Sequence, residues 1–152
     1  MTDASLPRAR RTGAATARAG AVRIKRAYEP ASPQDGYRVL IDRLWPRGIR
    51  KEDLALDAWA KELAPGTALR RWFGHDPRRW RTFAARYREE LRAPAARAIL
   101  DDLARRARNG PVTIVYGARD EAHNDAVVVR DEVERRRSAT PRRRDVRRTG
   151  PS

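Results

Sequence analysis

The spacing of apolar residues changes abruptly at Asn109-Gly110-Pro111, and that change limits the folds open to this chain. Before it, Ala95, Ala96, Ile99, Leu100, Leu103, Ala104 and Ala107 recur at intervals of three and four, which predicts an amphipathic helix closed by the Asn-Gly-Pro stop. After it, Val112-Thr113-Ile114-Val115-Tyr116 is β-branched and aromatic and predicts a central strand. Tyr37 to Asp42 reads as a second buried strand, while Val22, Ile24, Arg26 and Tyr28 alternate with Arg23, Lys25 and Ala27 as in a half-exposed one. Asp76-Pro77 is a helix start, because Asp accepts from free first-turn amides and Pro there gives up no hydrogen bond. Trp80, Phe83, Ala84, Tyr87 and Leu91 then share one face.

The remaining signals are shorter. Thr67 to Phe73 predicts a short helix, Lys51 to Leu54 a single turn, Leu56 to Ala60 a strand or extended loop, and Asn124 to about Arg137 a final helix. Strands separated by helices imply a small three-layer α/β domain, with a largely parallel sheet of about four strands flanked by helices. The first two strands are harder to place, since the seven or eight residues between them are few for a parallel connection.

Charge divides the chain into parts. Of the net +15, residues 1–20 carry +3 from four Arg and one Asp, residues 135–152 carry +7 from eight Arg and one Asp, and the rest carries +5. The expected organisation is a disordered basic tail over 1–20, an α/β domain over 21–137 and a disordered Arg-rich tail over 138–152. Such tails serve either as solvated ends or as electrostatic arms on nucleic acid, with affinity that falls steeply with salt. The 32 Arg to 3 Lys bias is equally compatible with genomic base composition. The absence of cysteine excludes disulfides, thiolate metal sites and a cysteine nucleophile, and it fits a cytoplasmic protein. No apolar stretch approaches the roughly 18 residues of a membrane span, and no apolar segment follows Arg10-Arg11 as a secretion signal requires.

In open parallel sheets ligands settle beyond the carboxyl ends of the strands. Two such ends carry polar clusters, Asp42-Arg43-Leu44-Trp45-Pro46-Arg47-Gly48 and Gly117-Ala118-Arg119-Asp120-Glu121-Ala122-His123-Asn124. If both strands are central and parallel, the clusters share a rim holding carboxylates, guanidinium groups, an imidazole and an amide. That inventory suits anion binding and proton transfer. Asp42, Asp120 and His123 are the candidate catalytic groups; Arg43, Arg47, Trp45, Arg119, His75 and Asn124 are the candidate substrate-binding ones. Each has an ordinary structural use. Asp42 can pair with Arg43 or Arg119, Arg43 and Arg47 can brace a loop, Trp45 can pack, His123 can cap the last helix, and His75 can bond to backbone in a turn. The two histidines lack HxH or HExxH spacing, so no metal site is expected. Neither a P-loop nor GxGxxG is present, and no cofactor is implied. Ser5, Ser32, Ser138 and Ser152 lie in expected tails or a turn, poorly placed for a nucleophile.

IDRLWPRG at 41–48, KELAP at 61–65, RRWFGHDPRRW at 70–80, FAARYREEL at 83–91 and VTIVYGARDEAHNDAVVV at 112–129 resemble the YeaO-like family, a domain-of-unknown-function family, over about residues 22–135. The resemblance implies a compact, cytoplasmic α/β domain of bacteria or archaea and assigns no reaction. The residues it carries over are Asp42, Arg43, Trp45, Pro46, Arg47 and Gly48, with Trp72, Phe73, His75, Asp76, Asp120, His123 and Asn124. The Arg-rich extensions lie outside its pattern. Two functions remain open at this point. One is a small enzyme with a cleft for an anionic, phosphorylated or nucleotide-like substrate. The other is a nucleic-acid-binding module using the basic tails and Arg78, Arg79, Arg81, Arg86 and Arg88 of the 77–91 helix.

Overall fold

A computed structural model of the chain describes residues 22–149, the last helix beyond Ala139 by its backbone alone. The expected N-terminal tail over 1–20 lies outside the described residues. Four strands, β1 (Val22–Arg26), β2 (Tyr37–Leu40), β3 (Ala58–Trp59) and β4 (Val112–Tyr116), form one sheet in the order β1-β4-β2-β3. Every pairing is parallel, with Val22 opposite Val112, Tyr37 opposite Val112 and Val39 opposite Ala58. The expected α/β architecture is therefore borne out.

The two faces differ in kind. Val22, Val39, Ile41, Val112, Ile114 and Tyr116 point into the larger core, which α2 (Thr67–Phe73), α3 (Trp80–Glu90), α4 (Pro94–Ala107) and α5 (Asp125–Thr149) complete with Leu69, Phe83, Tyr87, Leu100, Leu103 and Val129. α5 packs on β1, β4, α3 and α4. The opposite face has a thin cover. Ala27, Leu40 and Val115 meet Leu54 of the one-turn helix α1 (Lys51–Leu54), with Trp45, Ile49, Leu56 and Trp59 around them.

Towards the amino ends of the strands this second face is polar, and a single carboxylate organises it. Asp35 closes a 3-10 turn, Pro33–Asp35, capped reciprocally with Ser32. It receives Lys25 Nζ at 3.1 Å and Arg38 at 2.7 Å, and its carbonyl accepts from Thr113 Oγ1 at 2.7 Å. Burial alone would raise its pKa, but the Ser32 amide, Lys25 and Arg38 together hold it below the usual carboxylate value. Arg38, 4% exposed, also donates to the carbonyl of Leu54 at 2.7 Å.

This network resolves the difficulty of the first connection. β1 and β2 are not neighbours, because β4 lies between them. Residues 27–36 make this connection through a turn, a bend and the 3-10 turn Pro33–Asp35, anchored by the Asp35 contacts rather than by a crossover helix. Gly36 ends the return at φ +65°, with a notional Cβ only 2.2 Å from the carbonyl oxygen of Pro111, so a side chain there is excluded.

The helix boundaries follow their local signals. Asp76 accepts from the Arg78 amide at 3.0 Å with Pro77 at the first position, and α4 ends before Asn109-Gly110-Pro111. α5 continues past the expected end near Arg137 to Thr149.

Candidate functional site

β2 and β4 run side by side in the same direction, so the segments that follow them leave the sheet at one rim. Asp42, two residues past β2, turns its carboxylate across to β4, where Oδ2 accepts from the Gly117 amide at 2.8 Å. Gly117 permits this approach, since a Cβ there would stand 3.1 Å from the same oxygen. The backbone carbonyl of Asp42 receives Trp59 Nε1 at 2.7 Å, and Trp59 packs edge-on against Trp45 with centroids 5.3 Å apart. Trp45 Nε1 donates to the Ile49 carbonyl at 2.8 Å, so both indoles fix the course of the 42–49 loop.

A cavity of about 300 Å³ opens above this rim. Asp42, Asp125, His123 and Asn124 line it together with Arg43, Arg70 and His75, and Phe73, Phe83 and Trp45 supply apolar wall. Phe73 and Phe83 stack with centroids 4.4 Å apart, and Trp80 continues the aromatic layer to His123 at 5.4 Å. Tyr87 lies beneath, its hydroxyl donating to the Leu63 carbonyl. Burial, reinforced by the nearby Asp125 and Asp42 charges, keeps that phenol protonated well above its ordinary value.

The inner wall is a carboxyl pair. Asp42 and Asp125 both line the cavity, and the charge of Asp42 opposes the ionisation of Asp125. Asp125 rises to about 7, through burial first and then the adjacent Asp42 charge, against the opposing pull of its own amide and that of Ala126 at the start of α5. Asp42 also rises through burial, although the Gly117 amide, Asp125 and the positive charge of Arg70 draw it back.

The second polar group is a loop clasp. Asp120 Oδ1 accepts from the amides of Ala122 and His123 at 2.9 and 3.0 Å, and Oδ2 lies 3.1 Å from His123 Nδ1. These bonds hold the Asp120 pKa below the usual carboxylate range. Asn124 is buried, its amide nitrogen bonded to the Asp120 carbonyl at 2.8 Å and its oxygen to the Val127 amide at 3.2 Å, so both ends brace the entry to α5. At the mouth, Arg43 donates to Thr67 Oγ1 at 2.7 Å. His75 is exposed and sits at φ +58°, a conformation strained for a residue with a side chain.

Of the residues singled out from sequence, Asp42, Arg43, Trp45, His75, His123 and Asn124 line this cavity. Asp120 stands behind His123 as its partner. Arg119 and Arg47 are exposed and away from the lining, and the carbonyl of Arg47 accepts from the Tyr28 hydroxyl at 3.0 Å. Sequence reasoning missed Asp125 and Arg70. An acid at the first position of a helix is commonplace, and nothing local marks Asp125 as the partner of a residue 83 positions earlier. Among the described residues, no group of three or more His, Asp, Glu or Cys side chains gathers where it can hold a metal ion. No described helix is long and apolar enough to cross a membrane.

Comparison with known proteins agrees with the resemblance in the motifs. A family model described as the inactive DUF488-N3 subclade matches residues 21–149. The uncharacterised protein YeaO of Escherichia coli (strain K12) is 44% identical over 110 residues, spanning 72% of this chain and 94% of YeaO. The uncharacterised protein Rv3073c of Mycobacterium tuberculosis (strain ATCC 25618 / H37Rv) is 50% identical over 92 residues, 60% of this chain and 78% of that protein. No solved structure matches the chain.

Proposed function

The chain belongs to the YeaO-like DUF488 family, within the subclade described as inactive, and from that premise we propose that its rim cavity binds a small anionic, phosphorylated or nucleotide-like ligand. The observation that carries the reading is the polarity of the cavity. Two guanidinium groups, Arg43 and Arg70, line it together with the carboxyl groups of Asp42 and Asp125, the latter raised to about 7. The arginines supply charge for an anion, and Asp125, when it holds its proton, offers a donor beside them. Phe73, Phe83 and Trp45 provide apolar contact for the body of the ligand. The subclade's description accords with binding that needs no turnover.

A second reading, acid–base catalysis on the same ligand, is favoured by the Asp120–His123 contact. Asp120 engages Nδ1 and leaves Nε2 as the ring nitrogen available for proton exchange, with Asp42 as the other proton carrier.

Titration calorimetry of the full chain with inorganic phosphate and adenosine monophosphate tests both readings. The expected result is saturable binding of at least one probe, weakened about 10-fold by Arg70→Ala or Arg43→Ala, the loss of one charge-assisted contact. Absence of binding by either probe, or arginine variants that bind like the unaltered chain, would overturn the proposal. Phosphorus NMR of the bound probe separates the readings: an unchanging resonance supports binding alone, and a growing product signal supports catalysis.

A further inference from the structure

A second concave surface lies on other elements. Arg88 of α3, Arg92 in the turn after it, Arg97 of α4 and Arg135 of α5 line an open groove with Glu89 and Glu132. Its organiser is Glu132, 6% exposed, which receives Arg135, takes Arg136 Nη1 at 2.9 Å and faces Arg88 Nε at 3.6 Å. Arg136 also reaches Asp101 at 3.1 Å. One buried carboxylate thus positions guanidinium groups from two helices, Arg92 pairs with Glu89 at 3.7 Å, and the lining keeps four Arg against two Glu. Preset guanidinium groups around a shallow groove suit phosphate oxygens.

The positive charge continues along the same helix. Beyond Arg135 and Arg136, the α5 sequence adds Arg137, Arg142, Arg143, Arg144, Arg147 and Arg148 against a single acid, Asp145. The five arginines Arg78, Arg79, Arg81, Arg86 and Arg88, the first two in the 3-10 turn before α3, do not form the stripe that their sequence suggests. Arg78 and Arg79 pair with Asp76, Arg79 and Arg86 lie on the Trp72 ring, and of the five only Arg88 lines the groove. The cationic surface is a product of tertiary packing.

We propose that this groove binds the phosphate backbone of a nucleic acid without reading its sequence, and that the Arg-rich sequence at the end of α5 adds to its charge. A membrane surface fits less well. An interfacial helix needs an exposed apolar face, whereas Ala126, Val128, Val129 and Val133 of α5 are buried in the core.

Fluorescence anisotropy of the full chain, with a labelled DNA duplex and a single-stranded RNA, provides the test. Engagement of about four phosphates by the groove and helix end weakens affinity on the order of 100-fold as salt rises from about 50 to about 200 mM. The double variant Arg92→Glu/Arg97→Glu should lose at least about 10-fold in affinity and flatten the salt dependence. Arg71→Glu/Arg81→Glu carries the same charge change on exposed positions away from the groove and should lose less than about 3-fold. Equal losses in the two variants would reduce the effect to net charge and overturn the proposal. So would salt-insensitive or absent binding of both nucleic acids, or tighter binding to phosphatidylserine vesicles with the same dependence on Arg92 and Arg97. Preference between the DNA and RNA probes identifies the class of nucleic acid.

Discussion

Asp42 and Gly117 lie 75 positions apart in the chain, yet the carboxylate of one accepts the amide of the other at 2.8 Å, joining the ends of two neighbouring parallel strands. This bond is the meeting point of the sheet and the cavity, and it leads to the first prediction.

Replacing Gly117 with Ala places a methyl group 3.1 Å from Asp42 Oδ2, inside ordinary contact distance, where neither strand end can move freely. The variant should be less stable by about 1–2 kcal/mol, the usual range for slight overpacking with a weakened hydrogen bond. Urea denaturation measures this, and an unchanged midpoint would show that the strand ends yield.

The Asp42–Asp125 pair predicts a pH dependence of stability with a definite sign. Asp125 rises from an ordinary 3.8 to about 7 in the folded protein. A carboxyl that holds its proton more tightly when folded contributes stability below the unfolded value and loses it as pH rises through the folded one. Between about pH 4 and 7 this group should therefore lower stability with rising pH, at no more than about 1.4 kcal/mol per unit for one proton. Asp125→Asn should flatten that slope relative to the unaltered chain. Melting curves across the window decide it, and parallel profiles for the two proteins would contradict the assignment.

Asp35 is the only carboxylate that contacts both Lys25 and Arg38 among the described residues, and Arg38 is 4% exposed. Asp35→Ala leaves a buried guanidinium without its counter-charge and should cost about 3–5 kcal/mol. Removing both charges with Asp35→Leu/Arg38→Met should cost clearly less than the single change. Chemical denaturation of both variants measures the difference, and equal losses would mean that the side chains act independently.

Much of the architecture was legible because its signals are local. Asp76-Pro77, Asn109-Gly110-Pro111 and the β-branched run after it act through a few neighbouring residues, and each coincides with an observed boundary. Tertiary partnership left no such trace. Arg38 interrupts an apolar run as a lone charge, and only the fold shows Asp35 and the Leu54 carbonyl around it. Arg43 and Arg47 read alike in the same motif, yet one lines the cavity and the other lies outside it, since the loop's course is set by the distant Trp59. Asp125 was hidden for the same reason, as an unremarkable first residue of a helix.

The placement of β4 between β1 and β2 governs the order in which the molecule can be completed. The amino-terminal half makes β1 and the β2–β3 pair, which have no backbone pairing with each other, and the ribbon that joins them arrives some 70 residues after β2 in synthesis. Until then β1 has no partner in the sheet, and the rim lacks both the Gly117 amide that holds Asp42 and the cavity-lining Asp125. A polypeptide halted before Val112 is thus left with an unclosed gap at its centre, so ligand recognition at the rim is a property that only the finished sheet acquires.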